Sequence, residues 1–212
     1  MGHLKVATFA SGRGSNILSI IDAIKRGELS CQVVLVVSDK LDSGALKLAE
    51  ENDIPAFFID QQQFDSPDAF DLVLLNALEE AGTELIALAG YLKKIRPAII
   101  QSYRNRILNI HPSLLPAFGG KGMYGMKVHK AVLDYGCKVT GATIHLVDDQ
   151  YDSGAPLLQE SVAVLAGDSH ETLAQRVLKV EHALYPRALQ AFAEKRIEIH
   201  GRQVCIKPAN IQ

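Results

Sequence analysis

The sequence predicts an open, doubly wound α/β fold on a mostly parallel sheet, followed by a β-rich C-terminal part with an antiparallel strand pair. Three observations predict it. Short runs that are apolar throughout, at residues 33–37 and 85–89 among others, recur between segments of helical periodicity. Strands apolar at every position are buried on both faces, which is how parallel sheets pack. Segments rich in Gly, Pro and polar residues follow three of these strands, at residues 11–16, 90–95 and 109–116, where open α/β sheets bind ligands. Beyond Val139, two β runs are joined by a turn too short for a crossover helix, so they pair antiparallel.

Residues 4–10 form the first apolar run, and Ser11-Gly12-Arg13-Gly14-Ser15-Asn16 breaks it. Ile17, Ile20, Ile21 and Ile24 then recur at one face of a helix, with Gly27 as its stop. A strand at 33–37, a helix over 43–51 and a strand at 56–59 follow. Ser66 before Pro67 starts a helix that runs to about Glu80, because Pro is tolerated at the first helical position. A strand at 85–89, a short helix over 97–103 and a strand at 107–110, ending at His111-Pro112, complete the first half.

Residues 139–147 alternate, with Thr140, Ala142, Ile144 and Leu146 on one face, and 156–164 form the partner run. Ser169 caps a long helix carrying Leu173, Val177, Val180 and Leu184, and residues 197–206 read as a closing hairpin. The whole chain, 1–212, reads as a single domain with a nucleotide-fold-like half, 1–105, and a second half, 106–212.

Composition narrows the function classes. With 48% hydrophobic and 22% charged residues the chain is globular rather than disordered. Its formal net charge of -2 gives no broad basic field, so a nucleic-acid partner has no compositional support. Cys31, Cys137 and Cys205 are sparse and far apart, without disulfide or zinc spacing, which fits a reducing compartment. No run approaches the ~20 apolar residues of a membrane span. Met1-Gly2-His3-Leu4-Lys5 lacks a signal core, and Val6 stands where a myristoylation motif needs Ser or Thr. A cytoplasmic protein without membrane attachment is expected.

Three motifs carry chemistry. In Ser11-Gly12-Arg13-Gly14-Ser15-Asn16, small residues before a helix let backbone N–H groups reach an anion at the helix N-terminus. The alternative is a glycine turn with Ser15 or Asn16 as an N-cap. A dinucleotide fingerprint fits less well. Gly12 and Gly14 match its first two glycines and Asp39 follows the second strand, but Ile17 holds the third glycine's place. The second motif is Leu108-Asn109-Ile110-His111-Pro112-Ser113-Leu114-Leu115-Pro116. Strand alternation puts Asn109 and His111 on one face, and burying two such groups unpaired would cost about 1–3 kcal/mol each. The third, Asp148-Asp149-Gln150-Tyr151-Asp152-Ser153-Gly154, reads as a solvated acidic turn unless one of its carboxylates reaches His111.

Taken together these motifs resemble those of the formyltetrahydrofolate-dependent formyltransferase family. The matching pieces are Gly14-Ser15-Asn16, Leu88-Ala89-Gly90-Tyr91-Leu92, the Asn109 to Pro116 motif, Val139-Thr140-Gly141-Ala142-Thr143-Ile144-His145, Asp152 before Ser153-Gly154, and Glu181-His182 with Tyr185-Pro186. The resemblance spans residues 4–200.

It implies the formyltransferase fold and 10-formyltetrahydrofolate as co-substrate, with no metal. It implies Asn109, His111 and Asp152 as catalytic residues, so that 106–212 is the catalytic and folate-binding half and 1–105 the phosphate-binding half. Leu92, Lys93, Lys94 and Ile95 would hold the folate, largely through backbone groups, with Asn109 and Asp152 also contributing. The Gly-Ser-Asn loop and compact length imply a small phosphorylated amine, glycinamide ribonucleotide, as acceptor. Gly14, Ser15 and Asn16 would bind its phosphate, and Glu181 its glycinamide end. His145 would be supporting structure.

In the implied mechanism, Asn109 and protonated His111 stabilise the tetrahedral oxyanion during direct transfer. A free imidazole titrates near pKa ~6.5, and Asp152 is the carboxylate expected to favour its charged form.

The chain departs from the family in places. Pro67 and Asp68 stand where relatives often carry an Arg that meets the folate tail. Leu178 stands where some have Lys or Gln, and Lys179 points about 100° away on a helix. Residues 119–128 are longer than in some relatives, a candidate flap without an assigned role. Among rival readings, a formyltetrahydrofolate deformylase would commonly carry an N-terminal regulatory domain, for which a first strand at Leu4 leaves no room. A transferase acting on initiator tRNA would carry a further C-terminal domain. A non-catalytic nucleotide-binding module would leave Asn109, His111 and Asp152 without a role.

Overall fold

The computed structural model describes residues 2–208. These fall into two compact units, divided between Leu108 and Asn109.

The first unit alternates strands and helices: β1 (Leu4–Phe9), α1 (Ser15–Lys25), β2 (Cys31–Ser38), α2 (Gly44–Glu51), β3 (Ala56–Phe58), α3 (Pro67–Glu80), β4 (Leu85–Leu88) and α4 (Pro97–Ser102). β1 pairs in parallel with β2 and with β4, and β2 pairs in parallel with β3. The apolar runs are buried as their composition requires. Val6, Phe9, Leu85 and Ile86 from the strands pack with Ile17, Ile20, Leu74 and Leu78 from the helices, all at 2% exposure or less. Helix starts follow the sequence signals. Ser43 and Ser66 accept the Leu46 and Ala69 N–H groups, and Pro67 occupies the first turn of α3.

One start differs. Neither Ser15 nor Asn16 caps α1; the cap is Gly14 at φ 80°, a left-handed conformation that glycine enters without a Cβ penalty. Ser15 and Asn16 lie inside the first turn, with Asn16 buried.

β5 (Ile107–His111) spans the division, and the second unit continues with α5 (Met126–Asp134), β6 (Val139–Leu146), β7 (Pro156–Ala163), α6 (His170–Ala193), β8 (Ile197–His200) and β9 (Gln203–Ile206). Hydrogen bonding orders the strands β3-β2-β1-β4-β5-β6-β7, while β8 and β9 form a separate antiparallel hairpin. β6 and β7 are antiparallel, as the short turn between them requires.

Three details differ from the sequence reading. α5 was hidden within and after the candidate flap, and begins at Met126 behind Gly125. β6 is buried on both faces rather than one, since Gly141, Thr143 and His145 are as enclosed as Ala142 and Ile144. On α6 the buried stripe runs Leu173, Val177, Glu181, Leu184 and Ala188, and Val180 is only half-buried. Steps of four, four, three and four residues keep those five on one helical face, so Glu181 takes the place expected of Val180.

Candidate active site

The predicted site residues fall in two groups at the carboxyl ends of strands, with Glu181 apart on α6.

In the first unit, β1 leads into Ser11 and the turn at Gly14, and α1 begins at Ser15. The loop packs against the start of α2, where the Ala45 N–H donates to the Gly12 carbonyl at 3.1 Å. The α1 N-terminus directs backbone N–H groups and partial positive charge outward beyond Gly14, an arrangement suited to one phosphate.

β4 leads into Gly90, at φ 83°, and then Tyr91, Leu92, Lys93, Lys94 and Ile95. The Tyr91 ring meets Phe9 edge to face at 5.4 Å. Arg96 ends the loop in an ion pair with the buried Asp71 of α3 at 2.6 Å. Lys93 and Lys94 are exposed cations, suited to the carboxylates of a folate tail. Arg96 is spent on Asp71, and Pro67 is in the first turn of α3. Behind the loop is a cleft lined by Asp39, Phe70, Leu74, Tyr91, Ile95 and Ile99. Burial, with Asp39 and Asp60 adding, pushes the Tyr91 phenol up.

The second unit gathers the catalytic candidates. Asn109 and His111 lie on the same face of β5, as alternation requires; Asn109 meets His145, His111 meets Asp152, and His145 Nε2 lies 3.8 Å from Asp152 Oδ1. The Asn109 amide nitrogen is 3.0 Å from His145 Nε2. His145 Nδ1 is 2.8 Å from the Leu146 carbonyl oxygen, which can only accept. Nδ1 therefore carries the proton, Nε2 accepts from Asn109, and the ring is neutral. Burial holds the His145 pKa below the usual imidazole value, in agreement.

A register shift in β6 between Ile144 and His145 sets this contact up, because a bulge re-aims the side chain that follows it. His145 thereby fixes which way the Asn109 amide faces. The sequence reading of His145 as support understated this role, and the signal was weak, since a bulge leaves little trace in composition.

His111 Nδ1 lies 3.5 Å from Asp152 Oδ1, an ion-pair distance. Its Nε2 lies 2.9 Å from the Phe118 carbonyl oxygen and donates to it. Asp152 Oδ2 accepts the Gly120 N–H at 2.8 Å. The 118–120 strand of backbone thus holds both His111 and Asp152. The approach is close: a Cβ on Gly119 would stand 2.6 Å from Leu115 Cδ2 and 3.1 Å from Asp152 Cβ, so both side chains would have to shift. This is the part of the candidate flap that the sequence left without a role; it acts through main-chain atoms, which no side-chain motif reports.

Asp152 itself adopts φ 54°, a left-handed conformation that Asp and Asn tolerate better than other non-glycine residues. Ser153 Oγ donates to Asp148 at 2.7 Å, and a Cβ on Gly154 would run into the Leu146 carbonyl oxygen. The turn therefore mounts one carboxylate against His111, while Asp149, Gln150 and Tyr151 stay exposed.

Glu181 is buried on α6, and burial, with Glu181 adding, pushes the neighbouring Tyr185 phenol well up. Lys179 is exposed on the same helix. Among the described residues no group of three or more His, Cys, Asp or Glu side chains could hold a metal ion, and no helix is long and apolar enough to cross a membrane. None of the three cysteines is in a disulfide, and burial pushes the Cys31 thiol up to about 12.

His129 of α5 is 4% exposed, its Nδ1 has no hydrogen-bond partner, and burial lowers its pKa to about 4. The folded chain therefore keeps this ring neutral while the unfolded chain protonates it near pH ~6.5. Stability is full above that value and falls with pH down to about 4. Between pH 7.5 and 5 the expected loss from His129 is about 2 kcal/mol. Urea unfolding of His129→Leu should show a pH-dependent loss smaller by that amount than the wild type; an equal loss would mean His129 is charged in the folded state.

The linked cluster of Asn109, His145, His111 and Asp152 suits an acyl-transfer class of enzyme. The chain belongs to the formyl transferase family, whose sequence profile matches residues 4–189. It is 45% identical to the chloroplastic phosphoribosylglycinamide formyltransferase of Arabidopsis thaliana over 92% of this chain and 67% of that one. It is 35% identical to the phosphoribosylglycinamide formyltransferase of Escherichia coli over 93% of this chain and 91% of that one. The crystal structure of glycinamide ribonucleotide transformylase 1 from Symbiobacterium toebii superposes with a TM-score of 0.90 at 39% identity, covering 96% of this chain and 94% of that one.

Proposed function

We propose that this chain transfers the formyl group of 10-formyltetrahydrofolate to the amine of glycinamide ribonucleotide, giving formylglycinamide ribonucleotide and tetrahydrofolate. The observation that carries the reading is the linked cluster of Asn109, His145, His111 and Asp152.

The reaction forms a C–N bond between the amine and the formyl carbon and breaks the bond from that carbon to folate nitrogen. A tetrahedral oxyanion lies between. One amide hydrogen of Asn109 is held by His145, which leaves the other to be aimed at that oxygen. One such donor contributes about 3–4 kcal/mol. His111 has an oxygen acceptor at each nitrogen, the carboxylate of Asp152 and the carbonyl of Phe118, an arrangement that a doubly protonated ring satisfies. In that form it exchanges one of these acceptors for the oxyanion, supplies the proton taken by the departing folate nitrogen, and takes up the proton that the amine releases. Each proton is accounted for without a covalent enzyme intermediate.

Gly14, Ser15 and Asn16 bind the phosphate at the α1 N-terminus, and Glu181 takes the glycinamide end. Leu92 to Ile95 hold the folate. The Leu92 N–H is already donated to Ser11 Oγ, so folate is read from the Leu92 carbonyl onward. The scattered cysteines, none in a disulfide, and the net charge of -2 support a reducing, cytosolic setting and small-molecule rather than nucleic-acid partners.

Purified protein mixed with a 10-formyl folate, with and without glycinamide ribonucleotide, tests the reading. Loss of the formyl group that requires the amine is expected. Equal loss without it would make the enzyme a deformylase and overturn the acceptor.

A further inference from the structure

Ser11 stands where β1 hands over to the phosphate loop, and it is 3% exposed. Two hydrogen bonds tie it to the loop after β4. Its N–H donates to the Gly90 carbonyl at 3.0 Å, and its hydroxyl oxygen accepts the Leu92 N–H at 2.9 Å. β1 and β4 pair in parallel up to Phe9 and Leu88, and the Ala89 N–H still donates to the Phe9 carbonyl at 2.7 Å. Strand pairing therefore passes directly into the Ser11 contacts. The left-handed turn at Gly90 folds residues 90–92 around the serine, so that one side chain replaces the next rung of the ladder. On the other side, Gly12 accepts from Ala45, which holds the phosphate loop to α2.

We propose that Ser11 is a positioning residue that couples the two substrate loops. Its hydroxyl sets the plane of the Tyr91–Leu92 peptide, and its backbone is continuous with the turn at Gly14. A phosphate drawn to the α1 N-terminus orders Ser11, and Ser11 orders the peptide from which folate is read. By linkage the effect is reciprocal: each ligand raises the affinity for the other by the same factor. The proposal rests on the assignment of the phosphate and folate to these loops.

Tetrahydrofolate and glycinamide ribonucleotide together lack a formyl group, so their ternary complex is unreactive and can be titrated at equilibrium. In the wild type, saturating glycinamide ribonucleotide is expected to tighten tetrahydrofolate about fivefold or more. In Ser11→Ala the factor is expected to fall to about one, with both ligands still binding. A wild-type factor of one, or a factor unchanged in Ser11→Ala, overturns the proposal. A second measurement needs no variant. Amide hydrogen exchange at Leu92 in the wild type should slow when glycinamide ribonucleotide alone is added, and an unchanged rate overturns the coupling. The two failures are separable: binding of neither ligand sinks the formyl-transfer reading and this proposal with it, whereas binding of both without coupling sinks only the role of Ser11.

Discussion

Replacing His111 by Gln should lower kcat by about 10²–10⁴-fold, the usual contribution of one acid–base group. Gln is the informative choice because its amide can reach the place of Nε2 and keep the hydrogen bond to the Phe118 carbonyl. The 3% exposed pocket stays filled with a neutral donor of similar volume, so the fold should survive. What Gln lacks is a ring proton to transfer and a positive charge to set against the oxyanion. Both are needed more in the transition state than in the ground state, so KM for either substrate should move by less than about threefold. Steady-state kinetics with each substrate varied in turn would measure this. A large rise in KM with kcat intact would remove His111 from the chemistry and make it a binding residue.

Asp152→Asn should cost about 10²–10³-fold in kcat, comparable to the loss of one well-placed electrostatic group. Asn tolerates the left-handed φ of 54° at this position about as well as Asp, so the change removes charge with little backbone strain. Its carbonyl oxygen can still accept the Gly120 N–H. Its amide nitrogen then turns toward His111 Nδ1, where the native carboxylate oxygen lies 3.5 Å away. A donor there faces the Nδ1 donor of the ring, so the native acceptor and its charge are both lost. Asp152→Ala should be worse, because it also leaves the Gly120 N–H unpaired and puts alanine in a left-handed conformation. Turnover within about threefold of wild type for Asp152→Asn would show that the carboxylate charge is not used.

Local sequence determined the elements and much of the site. Apolar runs set the strands, the Ser66-Pro67 pair set the start of α3, and Ser169 set that of α6. Strand alternation alone put Asn109 and His111 on one face of β5, and the structure links them through His145 and Asp152. These features are legible because periodicity and caps depend on residues within a turn or two of each other.

Tertiary structure decided the rest. Composition left Asp152 in an acidic turn, and only the fold brings it beside His111, with Ser153, Asp148 and Gly154 as its mount. The orientation of the Asn109 amide depends on the bulge before His145, a one-residue shift of register between β6 and β7. Glu181 lies on the buried stripe of α6 because the helix packs along 173, 177, 181 and 184, whereas apolarity alone had favoured Val180. The groups that hold His111 and Asp152, the Phe118 carbonyl and the Gly120 N–H, belong to the backbone, as does the Leu92 N–H that Ser11 accepts. Every residue but proline carries such groups alike, so sequence does not mark which ones matter. Long-range register and the conformations of a few glycines select them, and these exist only in the folded chain.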